Sequence, residues 1–374
     1  MTNPFRFVGP VAPASLIDRR EELDLLARAV ATGVTVRLAG PRRFGKTSVI
    51  DAHLARMAAT GHRVARVDLS RVSTVTDVCV RLVRAYQPFG GAARGALARI
   101  AQRLGVTIGA AGIAVTLSPA RTEPPSDEQA RYLLAEVLDL PATLDDGDRT
   151  VVALDEFQDV LTADRDLDGL LRSVIQHHGD RVSYLFAGSA PTMMRALFED
   201  RERPFYGQAR PIAIGRLPAE ETARDIDATL RRHELDGGDA TAQIVALGAG
   251  HPQRTMLLAH HLFELLDVGN GEGDAGALAA RSLDLALHDT ADAHATVWDQ
   301  LDRPERAVAF ALADGLPPTS HAVAERSRMP RSTLADALGR LTREGQHVEV
   351  GDHGPAIVDP LLEIWLRRRN EVSA

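Results

Sequence analysis

The sequence predicts an α/β protein: a parallel sheet flanked by helices, then an all-helical region, then a small domain of helices and a hairpin. Two apolar runs and one glycine-rich turn carry that expectation. Residues 34–39, VTVRLA, have the β-branched content of a buried strand and pass directly into Gly40, Pro41, Arg42, Arg43, Phe44, Gly45, Lys46 and Thr47. A helical pattern with Val49, Ile50 and Leu54 on one side follows. Strand, glycine loop and helix in that order make a phosphate-binding loop of the G-x-x-x-x-G-K-[ST] type, and so predict a P-loop NTPase core. The second run, TVVALD at 150–155, reads as a central strand. It delivers Asp155 and Glu156 to a C-terminal edge, where parallel sheets bind their ligands.

Each residue type in these motifs has a chemical reason. The glycines let the loop turn its amide N–H groups toward phosphate oxygens, and the helix that starts around Lys46, Thr47 and Ser48 adds the partial positive charge of its N-terminus. Lys46 would reach the β- and γ-phosphates, and the Thr47 hydroxyl would hold Mg²⁺. Lys46 is the only lysine among 43 basic residues. A chain that writes arginine everywhere else keeps lysine where a compact ammonium must fit a phosphate cradle. Asp155 would hold the metal through its water shell, and Glu156 would orient or deprotonate an attacking water. ATP and Mg²⁺ are therefore the expected cofactors.

Length and composition set the frame. A chain of 374 residues predicts two or three domains, here drawn at 1–216, 217–298 and 299–374. A net charge of -8 leaves no global basic footprint for nucleic acid, so such binding would need a local patch. Cys79 stands alone, which excludes a disulfide framework and a cysteine metal site. Without a run of about 18 apolar residues or a signal pattern at the start, the expected location is cytoplasmic, with no membrane partner.

In chain order, a Pro-rich start leads to a helix through about residue 32, with Asp18 as its N-cap and Glu21 three residues on. Asp18 and Arg19 could close over an adenine or serve only as cap and surface charge. Residues 63–69 read as a strand and 77–86 as a helix. About 87–125 forms an insertion, in which residues 106–117 carry a β-hairpin signature of alternating apolar and small residues. Ser126 and Gln129 make a capping box for the next helix. Residues 182–187 are another buried strand, ending near Ser189, which either senses the γ-phosphate or caps the following helix. A fifth strand lies at 211–215. Before it, Arg203 and Arg210 are candidates for fingers that act in trans on a neighbour's nucleotide.

Pro218 starts the helical region by the proline-first rule, and Gly250, His251 and Pro252 start a helix on which Arg254 could reach the phosphates as a second sensor. The C-terminal part reads as a winged helix, with helices at 303–313, 319–326 and 331–344 and strands at 347–350 and 356–358. Arg331, Ser332, Thr333 and Arg340 would lie on the exposed side of its recognition helix, where duplex DNA could be touched. Arginines and acids nearly balance in this segment, so a protein partner or a second copy of the chain fits as well.

Taken together, the chain resembles the archaeal-type ATPase family, the STAND branch of the P-loop ATPases related to AAA+ and origin-recognition proteins. The resemblance rests on Asp18-Arg19, the loop from Gly40 to Thr47, Leu154-Asp-Glu-Phe-Gln158, Ala187-Gly-Ser189, Pro204-Phe-Tyr-Gly207, Gly250-His-Pro252 and Val358-Asp-Pro-Leu-Leu-Glu-Ile-Trp365. It implies an AAA+-like core with sheet order 5-1-4-3-2, a helical lid, a C-terminal winged-helix domain, Mg-ATP use and nucleotide-controlled assembly. Relatives often carry arginine after the Phe-Tyr-Gly turn, where this chain has Gln208.

Overall fold

Where the apolar runs were expected to form strands, they do, and the strands pair with one another. The computed structural model describes residues 2–109, 112–114, 125–144, 149–269, 273–343, 347–351 and 354–373. The chain divides into two compact units: Ala12–Gly40 with Lys46–Ile214, and Met1–Val11 with Pro41–Gly45 and Gly215–Ala374.

The first unit holds α1 (Arg20–Thr32), β1 (Val36–Ala39), α2 (Lys46–Ala59), β2 (Arg63–Asp68), α3 (Val75–Tyr86), α4 (Gly91–Leu104), β3 (Thr107–Gly109), β4 (Gly112–Ala114), α5 (Asp127–Thr143), β5 (Thr150–Asp155), α6 (Val160–Ala163), α7 (Leu167–Ile175), β6 (Val182–Ala187), α8 (Pro191–Glu199) and β7 (Arg210–Ala213). Five strands form a parallel sheet in the order β2-β5-β6-β1-β7. Numbering only these five in sequence gives 5-1-4-3-2, the order the resemblance implied. Every position of β5 and β6 is buried, which is why both read as continuous apolar runs. Of the expected hairpin, β3 pairs antiparallel with β4; its residues 110–111 and 115–117 lie outside the described residues.

The sheet's core is aromatic behind the acidic motif. Phe157 is fully buried and packs against Phe186 and Phe205 at ring distances of 4.6 and 5.4 Å. Cys79 is fully buried as well, and burial pushes its thiol up to about 12, so it is no nucleophile at neutral pH.

Two start signals behave differently from each other. Ser126 and Gln129 form the expected reciprocal capping box at α5. Asp18 does not cap α1: the helix starts at Arg20, with Asp18 and Arg19 both in left-handed backbone (φ 55° and 70°), and no side chain caps it. Arg19 is buried and pairs with Glu22 at 2.8 Å.

The second unit holds α9 (Ala219–Arg232), α10 (Asp239–Gly248), α11 (Pro252–Val268), α12 (Ala275–Gln300), α13 (Arg303–Ala313), α14 (His321–Ser327), α15 (Arg331–Arg343), β8 (Val348–Gly351), β9 (Gly354–Ile357) and α16 (Pro360–Ser373). Pro218 is the residue before α9, not its first. Pro252 does open α11, and the His251 ring caps it by accepting from the Arg254 amide at 3.3 Å. Strands β8 and β9 pair antiparallel. Among the described residues no helix is long and apolar enough to cross a membrane.

Two buried histidines give the fold an acid sensitivity. Burial lowers both His53, on α2, and His251 to about 4. Unfolded, each titrates near 6.5, so between these values the unfolded chain binds more protons and stability falls as pH falls. The unfolding free energy is expected to hold above about pH 7 and to drop below it, by roughly 2 kcal/mol per pH unit near pH 5 if both contribute, with the urea midpoint falling in step. Urea titrations at pH 7, 6 and 5 check this; a flat midpoint would contradict it.

Candidate active site

The site grows from the C-terminal ends of three neighbouring strands. Strand β1 lies between β6 and β7 and ends at Ala39. Gly40 then passes so close to the next chain that a Cβ there would sit 2.5 Å from the Ile214 carbonyl oxygen, so no larger residue fits without moving backbone. Five residues later Gly45 takes a positive φ of 84°, which a glycine adopts without strain. Arg43 also has a positive φ, 69°. Lys46, the first residue of α2, is 6% exposed and donates from Nζ to the Gly40 carbonyl at 2.8 Å, across the loop. Ser48 is buried in the next positions of the same helix, while Arg42 and Arg43 are exposed.

The tip of the loop belongs to the helical unit. Phe44 is 1% exposed and meets the His251 ring edge-on at 4.9 Å. The Arg216 guanidinium carbon lies 5.9 Å from the centre of the Phe44 ring. Arg216 also donates to Glu349 on β8, at 2.6 and 3.1 Å, and to the Ala249 carbonyl at 2.8 Å.

Strand β5 brings the acids. Asp155 is 5% exposed and accepts from the Thr47 hydroxyl at 2.9 Å, a contact between residues 108 apart in sequence. Burial raises the Asp155 carboxyl, and the Glu156 charge adds to that; Thr47 and Arg66 counter it. Arg66 lies 3.7 Å from Asp155 and is bound on its other side by Asp51 at 3.0 Å. A hydroxyl beside a desolvated carboxylate is a hard-oxygen donor pair that suits Mg²⁺, and a cation there would relieve the burial of the charge.

Glu156 adopts left-handed backbone (φ 53°) and starts the tight turn Phe157–Asp159. Its Oε2 accepts from the Ser189 amide at 2.9 Å, the Ser189 hydroxyl at 2.7 Å and Gln158 Nε2 at 2.8 Å. Ser189 is therefore turned to the acid. It does not cap α8, whose N-cap is Ala190 and has no side-chain cap.

Other expected site residues stand elsewhere. Arg254 is 4% exposed and bound through its Nε by both oxygens of Asp359, at 2.9 Å each. Arg203 reaches the buried Asp168 at 3.4 Å, and Arg210 is exposed at the start of β7. Asp18 is half-buried and Pro252 half-buried. On α15, Ser332 is exposed, Thr333 is half-buried, and Arg331 is exposed and donates to the Thr319 carbonyl at 2.7 Å. Arg340 keeps 42% of its side chain open to solvent, as expected, and is paired there with Asp302 at 2.6 Å and Glu305 at 2.8 Å at the start of α13. The sequence reasoning gave no role to Gln158, Gly188, Arg66 or Asp359. For Gln158, its position two residues after Glu156 in a strand-ending turn was the available signal.

No family model matches the sequence, and no curated protein matches it. Solved structures do. A Walker-type ATPase of Pyrococcus abyssi is 18% identical, with a TM-score of 0.67 over 97% of this chain and 99% of that one. The ORC2 protein of Aeropyrum pernix is 15% identical in its ADPNP-ADP complexes, with a TM-score of 0.61 over 98% of each chain. Its ADP form is 14% identical, with a TM-score of 0.56 over 98% of this chain and 96% of that one. At these identities the likeness shows the fold alone: an α/β P-loop fold built on a five-stranded parallel sheet.

Proposed function

We propose that the chain is a Mg²⁺-dependent ATP-binding and ATP-hydrolysing switch of the archaeal-type, STAND-branch kind, with a core (1–216), a helical lid (217–298) and a winged helix (299–374). The observation that carries this reading is the convergence of Lys46, Thr47, Asp155 and Glu156 at one sheet edge, with Thr47 and Asp155 2.9 Å apart. The ADP and ADPNP named for the Aeropyrum structures support a nucleotide as the ligand.

In this reading the loop amides and Lys46 bind the phosphates. Thr47 and Asp155 hold Mg²⁺, which when bound neutralises charge on the β- and γ-phosphates. Glu156 accepts a proton from the water that attacks the γ-phosphorus as the bond to the β-phosphate oxygen breaks, giving ADP and phosphate. Ser189 holds Glu156 in place. Arg203, Arg210 and Arg254 enter only if their present carboxylate partners or surface positions change on binding or assembly.

Coupling to the C-terminal module is supported by Arg216, which touches both Phe44 of the loop and Glu349 of β8. Three helices followed by a two-stranded hairpin support the winged-helix reading. Duplex DNA is a partner that Arg331, Ser332, Thr333 and Arg340 could meet; a homo-oligomer or a partner protein is the other class. A second reading, a nucleotide-stabilised DNA-binding or scaffold protein with little turnover, is favoured by one feature: one oxygen of Glu156 is already occupied by three donors and so is not open to a water.

The test is ATP binding and turnover of the wild type and Lys46→Ala, with Mg²⁺ or chelator, and with or without duplex DNA. Turnover that needs Mg²⁺, with binding lost in Lys46→Ala, is the expected result. Binding without turnover under every condition would leave the scaffold reading.

A further inference from the structure

We infer that Gln158 is a positioning residue for Glu156, which fixes the carboxylate so that its other oxygen faces the reacting water. This rests on the hydrolytic reading above. Gln158 is 4% exposed, and its Nε2 donates to Glu156 Oε2 at 2.8 Å and to Asp159 Oδ1 at 2.9 Å. Both partners are carboxylate oxygens, which only accept, so the amide nitrogen must face them. That orientation leaves Gln158 Oε1 buried without a hydrogen-bond partner among the described residues. An unpaired buried carbonyl is unfavourable for stability, by about 1–3 kcal/mol. The arrangement thus favours the geometry of Glu156 over the best local hydrogen bonding.

The surroundings hold the amide in this place. Phe157, between the two residues, is fully buried and anchors the turn in the aromatic cluster. Asp159 is itself fixed, its Oδ2 accepting from the Arg71 amide at 2.7 Å. Gly188 clears the space: a Cβ there would lie 2.2 Å from Gln158 Oε1. With Ser189, Gln158 loads Glu156 Oε2 with three donors. Oε1 accepts no side-chain or amide hydrogen bond among the described residues, so it is the oxygen left to take a proton. Removing Gln158 would let the carboxylate rotate, and misplacement of about 1 Å costs a catalytic group up to roughly a hundredfold.

The experiment compares wild type, Gln158→Met, Glu156→Gln and the double variant, by ATPase kinetics, by binding of a fluorescent ATP analogue and by melting. Gln158→Met is expected to lower kcat roughly 10- to 100-fold while KM and analogue affinity stay within about twofold. In the Glu156→Gln background it should cost nothing further, because Gln158 acts through Glu156. A kcat within about twofold of wild type, or an undiminished loss in the Glu156→Gln background, overturns the assignment while leaving the hydrolytic reading standing. A wild type without turnover overturns both. If Gln158→Met melts far below wild type, Gln158→Asn, which keeps an amide but withdraws it from Glu156 by one methylene, carries the same expectations.

Discussion

Glu156→Gln is expected to lower ATP turnover by about 10²–10⁴-fold, the range for loss of a general base, equivalent to roughly 3–5 kcal/mol of transition-state stabilisation. The substitution suits the site. A glutamine oxygen can still accept from the Ser189 amide and hydroxyl and from Gln158, as Glu156 Oε2 does now at 2.7–2.9 Å. Its NH₂ would then stand where the proton-accepting oxygen stood. The loop, Lys46 and the Thr47–Asp155 pair lose no contact, so ATP affinity is expected to stay within a few-fold. Single-turnover hydrolysis and equilibrium binding measure the two quantities separately. A variant that turns over within about threefold of wild type would remove Glu156 from the chemistry and leave phosphate positioning as the source of any rate.

Asp359→Ala is expected to destabilise the helical unit by about 3–5 kcal/mol, the loss found when one member of a buried ion pair is removed. Arg254 is 4% exposed, and Asp359 supplies both oxygens to its Nε; Asp359 also contacts Arg254 Nη2. The His294 ring, 2% exposed, lies 3.5 Å from the same carboxylate. Asp359 further caps α16, accepting from the Leu361 amide at 3.0 Å. Burial alone would raise this carboxyl, but His294 and Arg254 more than offset it and hold it well below the usual carboxylate range. Its contribution is thus present above about pH 4, the unfolded value, and is lost as pH falls further. In Asp359→Ala the Arg254 charge stays buried without its partner. Replacing both residues by apolar ones of similar volume should recover much of the loss, since no charge is then stranded. Urea unfolding at pH 7 checks both variants; a single variant within about 1 kcal/mol of wild type would mean that water or another acid takes over Arg254.

What the residues determined unaided was local. A strand, a loop and a helix are set by contacts a few residues apart, so the sequence placed β1, the loop from Gly40 to Thr47, β5, β6 and the Ser126–Gln129 capping box. Phosphate-loop chemistry is equally local, because glycine, lysine and threonine act at fixed spacing on one ligand. The sequence erred or stopped where backbone conformation or a distant group decides. Asp18 does not cap α1 because it and Arg19 both take left-handed backbone, and the Arg340 charge on α15 is taken up by Asp302 and Glu305, more than thirty residues earlier. Ser189 had two local roles open, and a carboxylate 33 residues away selects one. Phe44, a variable position in the motif, becomes a buried anchor on His251. Arg254, legible as a helix charge, is fixed by an acid 105 residues on. Only the tertiary structure could decide these cases. A polar or aromatic side chain takes the partner that best offsets its desolvation, and such partners are brought together by the sheet and the helix packing, not by neighbouring sequence.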